Sequence, residues 1–161
     1  MIEFTKISED DLMFLNEVRN ECAVEYLHDS RTFMLEDTIN WFKNTNPNYW
    51  IIWNEGNRIG YFRTSNYSEE NRNIYIGADL HKDFRGKGLA YESYRKFMPF
   101  LFVAYNLHKI SLEVLETNQR AINLYKKIGF TIEGVKRDEV NKNGAWINSI
   151  IMSIIKNEND R

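Results

Sequence analysis

The sequence is poor in the features that mark disulfide-rich and membrane proteins. Its 161 residues include one cysteine, Cys22, which excludes an internal disulfide and is typical of a reducing compartment. We expect this thiol to be a buried small side chain, because no histidine and asparagine pattern of a cysteine nucleophile accompanies it. No apolar run reaches the roughly 18 residues of a membrane span, and residues 1–4 carry no signal-peptide pattern. These absences predict a cytoplasmic protein with no membrane partner.

The sequence also has little net charge and few histidines, which excludes further classes of function. The chain has 21 lysines and arginines against 23 aspartates and glutamates, and it has no basic run, so we expect no nucleic-acid partner. His81 and His108 stand without further ligands at suitable spacing, so we expect no metal. The length and the 43% of hydrophobic residues predict a single domain over residues 1–161, with a frayed polar tail at 156–161.

Apolar periodicity predicts a mixed α/β fold in which strands and helices follow the order βααβββαβαββ. The strands are expected near residues 2–7, 49–53, 59–64, 73–80, 109–115, 131–139 and 145–155, and the helices near 8–19, 34–43, 89–105 and 119–128. Pro99 interrupts the third helical pattern and predicts a kink or an early end there. This order is typical of helices that cover a largely antiparallel sheet.

The stretch R-G-K-G-L-A, residues 85–90, lies between the fourth predicted strand and the third predicted helix. The free N–H groups and the dipole of a helix start favour an anion there. Gly86 and Gly88 let the backbone approach a phosphate closely, and Arg85 and Lys87 add positive charge. Taken alone, the stretch is equally consistent with a solvated basic turn.

A second pattern begins at Asn118 and reads N-Q-R-A-I-N-L-Y-K-K-I-G-F. Together the two patterns resemble the GNAT superfamily of acetyl-coenzyme A-dependent N-acetyltransferases. The family's pyrophosphate loop has Gln or Arg, then Gly three residues later, then Gly or Ala two residues after that, and the matching residues are Arg85, Gly88 and Ala90. Its second signature, N-x-x-A-x-x-x-Y-x-x-x-G-F, is matched by Asn118, Ala121, Tyr125, Gly129 and Phe130.

The resemblance implies a mixed, mostly antiparallel sheet of about seven strands, with a splayed parallel pair at its centre and helices on both faces. Acetyl-CoA would be the co-substrate, and its pantetheine arm would lie between the splayed strands. Backbone groups of Ala78 and Leu80 would pair with this arm, and Asn118 would hydrogen-bond it or serve only as a helix N-cap. The pyrophosphate would be bound by Arg85, Gly86, Lys87, Gly88, Leu89 and Ala90.

Two side chains are predicted to carry the chemistry of acetyl transfer. The resemblance places Tyr125 against the sulfur of the cofactor, where its phenol would donate a proton to the departing thiolate. Spacing alone favours a core tyrosine, because Tyr125 shares an apolar stripe with its neighbours. Glu113 lies in an otherwise apolar strand, which is costly unless the carboxylate faces a polar cleft. It is therefore the candidate base, acting directly or through water, and the alternative is a carboxylate exposed on the sheet.

The acceptor side is predicted from a polar and aromatic stretch that precedes the helix containing Trp41, and its members are Arg19, Asn20, Tyr26, His28 and Arg31. This pattern is similar to that of nucleotide-amino-sugar acetyltransferases, and cationic and aromatic groups suit a phosphate and a base ring. We therefore expect a small-molecule amine acceptor, namely a nucleotide-linked amino sugar. A polyamine or a protein N-terminus is the alternative, and a non-catalytic acyl-CoA sensor is the alternative of another class. A homodimer is left open.

Overall fold

The computed structural model describes residues 1–159 and contains one mixed seven-stranded sheet in the order β1-β2-β3-β4-β5-β7-β6. The strands are β1 (Ile2–Lys6), β2 (Tyr49–Asn54), β3 (Asn57–Ser68), β4 (Asn73–Leu80), β5 (Lys109–Leu115), β6 (Thr131–Lys142) and β7 (Ala145–Ile155). The α-helices are α1 (Leu12–Ala23), α2 (Leu35–Thr45), α3 (Leu89–Ala104), α4 (Gln119–Ile128) and α5 (Lys156–Asn159). Short 3-10 turns lie at Glu9–Asp11 and Lys82–Phe84.

The two central strands, β4 and β5, are the parallel pair of an otherwise antiparallel sheet. Their register runs only from Asn73 opposite Lys109 to Tyr75 opposite Ser111. Beyond these positions β4 stays paired with β3, and β5 stays paired with β7. The central strands therefore diverge and leave unpaired backbone groups along both edges of a gap. The predicted mixed fold and its splayed parallel pair are confirmed.

Alternating side chains of β2 and β3 place a hydrophobic core on each face of the sheet. Ile51 and Tyr61 belong to the core under α1 and α2, whereas Ile52 and Phe62 belong to the core under α3 and α4. Phe62 stacks on Phe97 of α3, with ring centroids 4.2 Å apart. Each large side chain buried in this way contributes roughly 1.5–3 kcal/mol. The two cores therefore hold a helical layer on each face, as predicted.

The first helix begins and ends later than the sequence predicts. Residues Glu9–Asp11 form a 3-10 turn, and α1 continues to Ala23. Asp11 is only 3% exposed; its Oδ2 accepts from the Ser8 N–H and its Oδ1 from Arg58 Nε, both at 2.9 Å. This ion pair joins the turn to β3, which lies far away in the sequence, so local periodicity carries no sign of it.

Of the kink or early end expected at Pro99, the early end does not occur, because α3 runs through this proline to Ala104. Proline removes one helical N–H donor and crowds the preceding turn. Phe97, Met98 and Leu101 are nevertheless fully buried on either side of it. Tertiary packing of this apolar face supplies most of a helix's stability and here outweighs the local penalty.

The tail that was expected to fray from residue 156 begins as the short helix α5. Its Glu158 carboxylate accepts from the Ile155 N–H at 3.0 Å, which joins this turn to β7. The last two residues of the predicted tail lie outside the described residues. Among the helices of residues 1–159, none combines the length and the apolarity that crossing a membrane requires.

Candidate active site

A cleft of about 790 Å³ opens where β4 and β5 diverge, a size typical of sites for small molecules. One wall is formed by residues 76–79 of β4, and the other by Glu113 and Val114 of β5. The loop between α1 and α2, residues 24–34, contributes Tyr26, His28 and Asp29 to the lining. Tyr125 of α4 also lines the cleft. The divergence of the central strands thus brings side chains from both halves of the chain to one place.

The glycine loop presents a row of free backbone donors at the start of α3. Gly86 and Gly88 have φ angles of 76° and 77°, a left-handed backbone that other residues rarely adopt. Within the described chain, the N–H groups of residues 86–91 donate to no other residue. The dipole of the 16-residue helix α3 adds positive potential at the same point. The loop can therefore bind an anion such as a diphosphate.

Two arginines lie near the glycine loop, and their contacts differ from those expected from the sequence. The guanidinium of Arg85 is directed to the protein, donating to the Leu80 carbonyl at 2.9 Å and to Cys22 Sγ at 3.1 Å. Its contact with a phosphate remains a prediction. Arg120 of α4 instead reaches the loop, with Nη2 3.1 Å from the position that a Cβ of Gly86 would occupy. Arg120 was not among the residues predicted for this loop, although it lies within the second family signature.

Tyr125 combines a place in the cleft with packing in the core. Its ring packs against those of Tyr94 and Phe130, with centroids 5.6 and 5.9 Å away. The two tyrosine hydroxyls are 3.5 Å apart. Burial raises the pKa of Tyr125 above its usual value near 10, so the phenol keeps its proton at neutral pH. A protonated phenol that lines a cleft is suited to act as a proton donor.

Glu113 lies in the cleft wall and is bound on both carboxylate oxygens. Lys136 of β6 donates to Oε1 at 2.7 Å, and Ser149 of β7 lies 3.4 Å from Oε2. His28 Nε2 is 2.7 Å from the Ser149 oxygen and 3.8 Å from Glu113 Oε2. Strand register produces this group, because β7 lies between β5 and β6. The predicted base therefore belongs to a polar cluster that sequence order could not reveal.

Arg63 and Asp79 form an ion pair in the wall of the cleft that the sequence analysis missed. Arg63 Nε lies 3.2 Å from Asp79 Oδ2, and both residues line the cleft. The guanidinium lies over Gly77, the residue opposite Arg63 in the register, where a Cβ would come within 2.6 Å of Nη2. A charge in an apolar strand was the available signal, but its partner depends on a register that the sequence does not show.

The predicted acceptor residues divide into two groups. Tyr26, His28 and Arg19 line the cleft, and Arg19 also donates to the carbonyls of Arg31 and Asp29. Arg31 is exposed and pairs with Asp29 at 2.7 Å, which holds the pKa of that carboxyl at about 2. Asn20 holds the loop by donating to the Phe33 carbonyl at 2.8 Å and accepting from its N–H at 2.9 Å. Arg31 and Asn20, the second group, therefore shape the loop.

The predicted arm-binding residues lie along the gap between the central strands. Ala78 and Asn118 line the cleft, from β4 and from the start of α4. Asn118 also caps α4, because its Oδ1 accepts from the Ala121 N–H at 3.2 Å. The Leu80 carbonyl is already bound by Arg85. The cleft position of Asn118 is compatible with both roles expected for it.

One cluster outside the cleft has the composition of a metal site. The carboxylates of Glu17 and Glu21 and the imidazole of His81 offer ligand atoms within 4.8 Å of one another. His81 Nδ1 accepts from the Asp83 N–H at 3.2 Å, so the proton of the neutral ring lies on Nε2. Nε2 is 3.3 Å from Glu17 Oε1 and donates to it. Hydrogen bonding thus accounts for His81 and Glu17, whereas neither carboxylate oxygen of Glu21 has a hydrogen-bond partner among residues 1–159.

Comparison with known proteins agrees with this architecture. A family model described as an acetyltransferase (GNAT) domain matches residues 2–131. The spermidine N(1)-acetyltransferase of Escherichia coli (strain K12) is 30% identical over 104 residues, which cover 65% of this chain and 56% of that protein. The chain thus spans about half the length of the curated relatives it matches.

Two solved structures share the fold over nearly the whole chain. Spermidine N-acetyltransferase from Vibrio cholerae, in complex with CoA and spermine, has a TM-score of 0.91 at 20% identity, covering 99% of this chain and 98% of that one. Ribosomal-protein-alanine N-acetyltransferase from Brucella melitensis has a TM-score of 0.82 at 18% identity, covering 95% and 99%. At these identities the likeness concerns the fold.

Proposed function

The chain belongs to the GNAT acetyltransferase family, and from this premise we propose that it transfers an acetyl group from acetyl-CoA to a primary amine. The observation that carries the proposal is the cleft between β4 and β5, which Tyr125 lines. The start of α3 adds a row of free N–H donors. A non-catalytic acyl-CoA sensor would need the donors alone. A protonated phenol in the cleft favours the enzyme.

The residues present fit a coenzyme A group. The N–H groups of residues 86–91, with Lys87 and Arg120 close by, supply donors and charge for a diphosphate. The edge of β4 beyond Tyr75 has no β5 partner, so its backbone, including that of Ala78, can pair with an amide-bearing arm as an added strand does. Asn118 is placed to donate to the same arm while capping α4.

Bound acetyl-CoA would supply the thioester that activates the acetyl group. Tyr125 holds a proton at its phenol oxygen and is the acid for the departing thiolate. Glu113 of β5 lines the same cleft and contributes negative charge to it.

For the acceptor we favour a small polyamine-like amine over the amino sugar expected from the sequence. The supporting facts are the E. coli relative, named as a spermidine acetyltransferase, and a lining with four carboxylates against two arginines. The carboxylates are Asp29, Asp37, Asp79 and Glu113, of which all but Asp37 are paired with a cationic side chain, and the arginines are Arg19 and Arg63. Two residues expected to bind the sugar nucleotide are engaged elsewhere, because Arg31 pairs with Asp29 and Asn20 binds Phe33.

A panel of acceptors tests both the transferase activity and the class of acceptor. Release of free thiol from acetyl-CoA is measured with spermidine, spermine, an alanine-initiated peptide and a nucleotide-linked amino sugar side by side. We expect turnover with the polyamines. Turnover with the sugar alone would refute the acceptor class but keep the transferase. Cofactor binding by calorimetry with no turnover on any amine would favour the sensor.

A further inference from the structure

The loop between α1 and α2 contributes one histidine to a polar cluster that includes Glu113 of the cleft wall. His28 Nε2 lies 2.7 Å from the oxygen of Ser149, a residue 121 positions later on β7. Ser149 is fully buried, and its oxygen is 3.4 Å from Glu113 Oε2. Lys136 donates to the other oxygen of Glu113. A continuous chain of contacts therefore runs from the cleft lining to a paired carboxylate.

The contacts of this chain, together with the 3.8 Å separation of His28 Nε2 and Glu113 Oε2, favour one tautomer of His28. A carboxylate can only accept, so the contact between Ser149 and Glu113 requires the serine O–H to donate to Oε2. The serine oxygen is then the acceptor for His28, and the imidazole proton lies on Nε2. Nδ1 is left with its lone pair, and it has no hydrogen-bond partner among residues 1–159. His28 thus presents an unprotonated nitrogen in a residue that lines the cleft.

Building on the proposed function, we propose that His28 is the catalytic base that takes the proton of the acceptor amine at Nδ1, with Ser149 and Glu113 as positioning residues behind it. As the lone pair of the neutral amine forms the new C–N bond, the nitrogen becomes cationic and its N–H acidic. That N–H bond breaks and an Nδ1–H bond forms. The electrons of the broken C–S bond remain on sulfur, which takes the Tyr125 proton.

The surroundings of His28 suit a base that works near neutral pH. Burial lowers the pKa of the imidazole below its usual 6.5. Glu113 on β5 and Glu139 on β6 oppose this effect, while Arg63 on β3 and Lys136 on β6 add to it. The ring is therefore neutral at pH 7 and free to accept. Once it is protonated, Ser149 and Glu113 stabilise the imidazolium, as an orienting carboxylate does in other base–histidine pairs.

The same contacts explain why Glu113 acts through His28. Both of its oxygens are engaged, one by Lys136 and one by Ser149. A proton placed on Glu113 would neutralise the carboxylate that the Lys136 ammonium binds, and so weaken that contact. His28 avoids this loss, because its free nitrogen is not part of the cluster's internal bonding.

The first test is the pH profile of kcat/KM with the best amine of the panel. The wild-type kcat/KM should rise with pH through an apparent pKa below 6.5, because His28 must be unprotonated. This rise is the acidic limb of the profile. His28→Gln should lose this limb and lower kcat by about 100-fold or more, within the usual effect of a general base. Glu113→Gln should keep the limb but move it to lower pH, since the carboxylate raises the pKa of His28. A limb that survives in His28→Gln and disappears in Glu113→Gln would overturn the proposal.

The second test reads the imidazole itself and needs no turnover. Nitrogen chemical shifts report the tautomer and pKa of His28, whose signal is identified by its loss in His28→Gln. In the wild type the proton should lie on Nε2, and Ser149→Ala should mix the two tautomers. The matched control is Ser153→Ala on the same strand, whose hydroxyl donates to Glu133. An unchanged tautomer in Ser149→Ala would refute the positioning role.

The two tests separate the inference from the function on which it rests. If no amine is acetylated, the proposed function fails and the role of His28 as a base fails with it. If the wild type is active but His28→Gln keeps both its rate and its acidic limb, only the inference fails.

Discussion

Arg63 and Asp79 form a cross-strand ion pair inside the candidate active site, with Nε and Oδ2 3.2 Å apart. The Asp79 side chain is 4% exposed, whereas Arg63 retains 37% exposure towards the cleft. The guanidinium fits only because its partner in the register, Gly77, has no side chain. One glycine thus allows a charged pair to lie in a wall made of core strands.

Asp79→Asn should lower the free energy of unfolding by about 2 kcal/mol, less than the roughly 3–5 kcal/mol typical of fully buried pairs because Arg63 reaches solvent. The cost arises from leaving the guanidinium without its counter-charge. Adding Arg63→Met should recover most of the loss. Urea denaturation measures the free energy of unfolding of the wild type, the single variant and the double variant. A double variant that is no more stable than Asp79→Asn would contradict this account of the pair.

Gly88→Asp should abolish binding of acetyl-CoA while leaving the fold intact. The substitution adds a negative charge among the free N–H donors and strains a backbone at φ 77°. Isothermal titration calorimetry measures the binding, and circular dichroism checks the fold. Gly56→Asp is the matched control, because its φ of 79° imposes the same strain in the β2–β3 turn. Equal affinity of Gly88→Asp and the wild type would remove the loop from the binding site.

Tyr125→Phe should lower kcat by about 100-fold or more, as expected for loss of a general acid, with little change in cofactor affinity. The phenol must be protonated to act. Burial raises its pKa above 10, so its ionisation should not reduce the wild-type rate at any pH below 10. Single-turnover kinetics and calorimetry separate the two effects. If the variant turns over at the wild-type rate, Tyr125 serves packing alone.

Lys142→Met should raise the KM of the acceptor about tenfold without changing the affinity for acetyl-CoA. Lys142 of β6 donates to the carbonyls of Ala23 and Val24 and to Ser30 Oγ, at 3.2, 2.8 and 2.7 Å, and so ties the loop of residues 24–34 to the β6–β7 hairpin. Hydrogen bonds from a charged group contribute roughly 1.5–3 kcal/mol, and losing them should loosen the acceptor side. Steady-state kinetics measures the change, with Lys156→Met as the control. An unchanged KM would show that the loop is held by its other contacts.

The elements that could be predicted from the sequence are those encoded locally. Gly86 and Gly88 mark a turn that needs a left-handed backbone, and a strand before and a helix after them predict a phosphate-binding loop. Alternation and helical periodicity likewise gave all seven strands and the order of the four long helices. Of the kink or early end expected at Pro99, the early end does not occur, because burial around the proline outweighs its local cost.

The composition of the acceptor side depended on tertiary structure. His28, Ser149, Glu113 and Lys136 are spread over a loop and three strands, and only the register of β5, β7 and β6 brings them within hydrogen-bond distance. Arg31 and Asn20 were assigned to the substrate as members of the polar and aromatic pattern, yet they bind Asp29 and Phe33 of their own loop. A sequence shows which donors and acceptors exist. Which of them the chain satisfies internally, and which remain for a ligand, is decided by packing, because hydrogen bonds act only over about 3 Å.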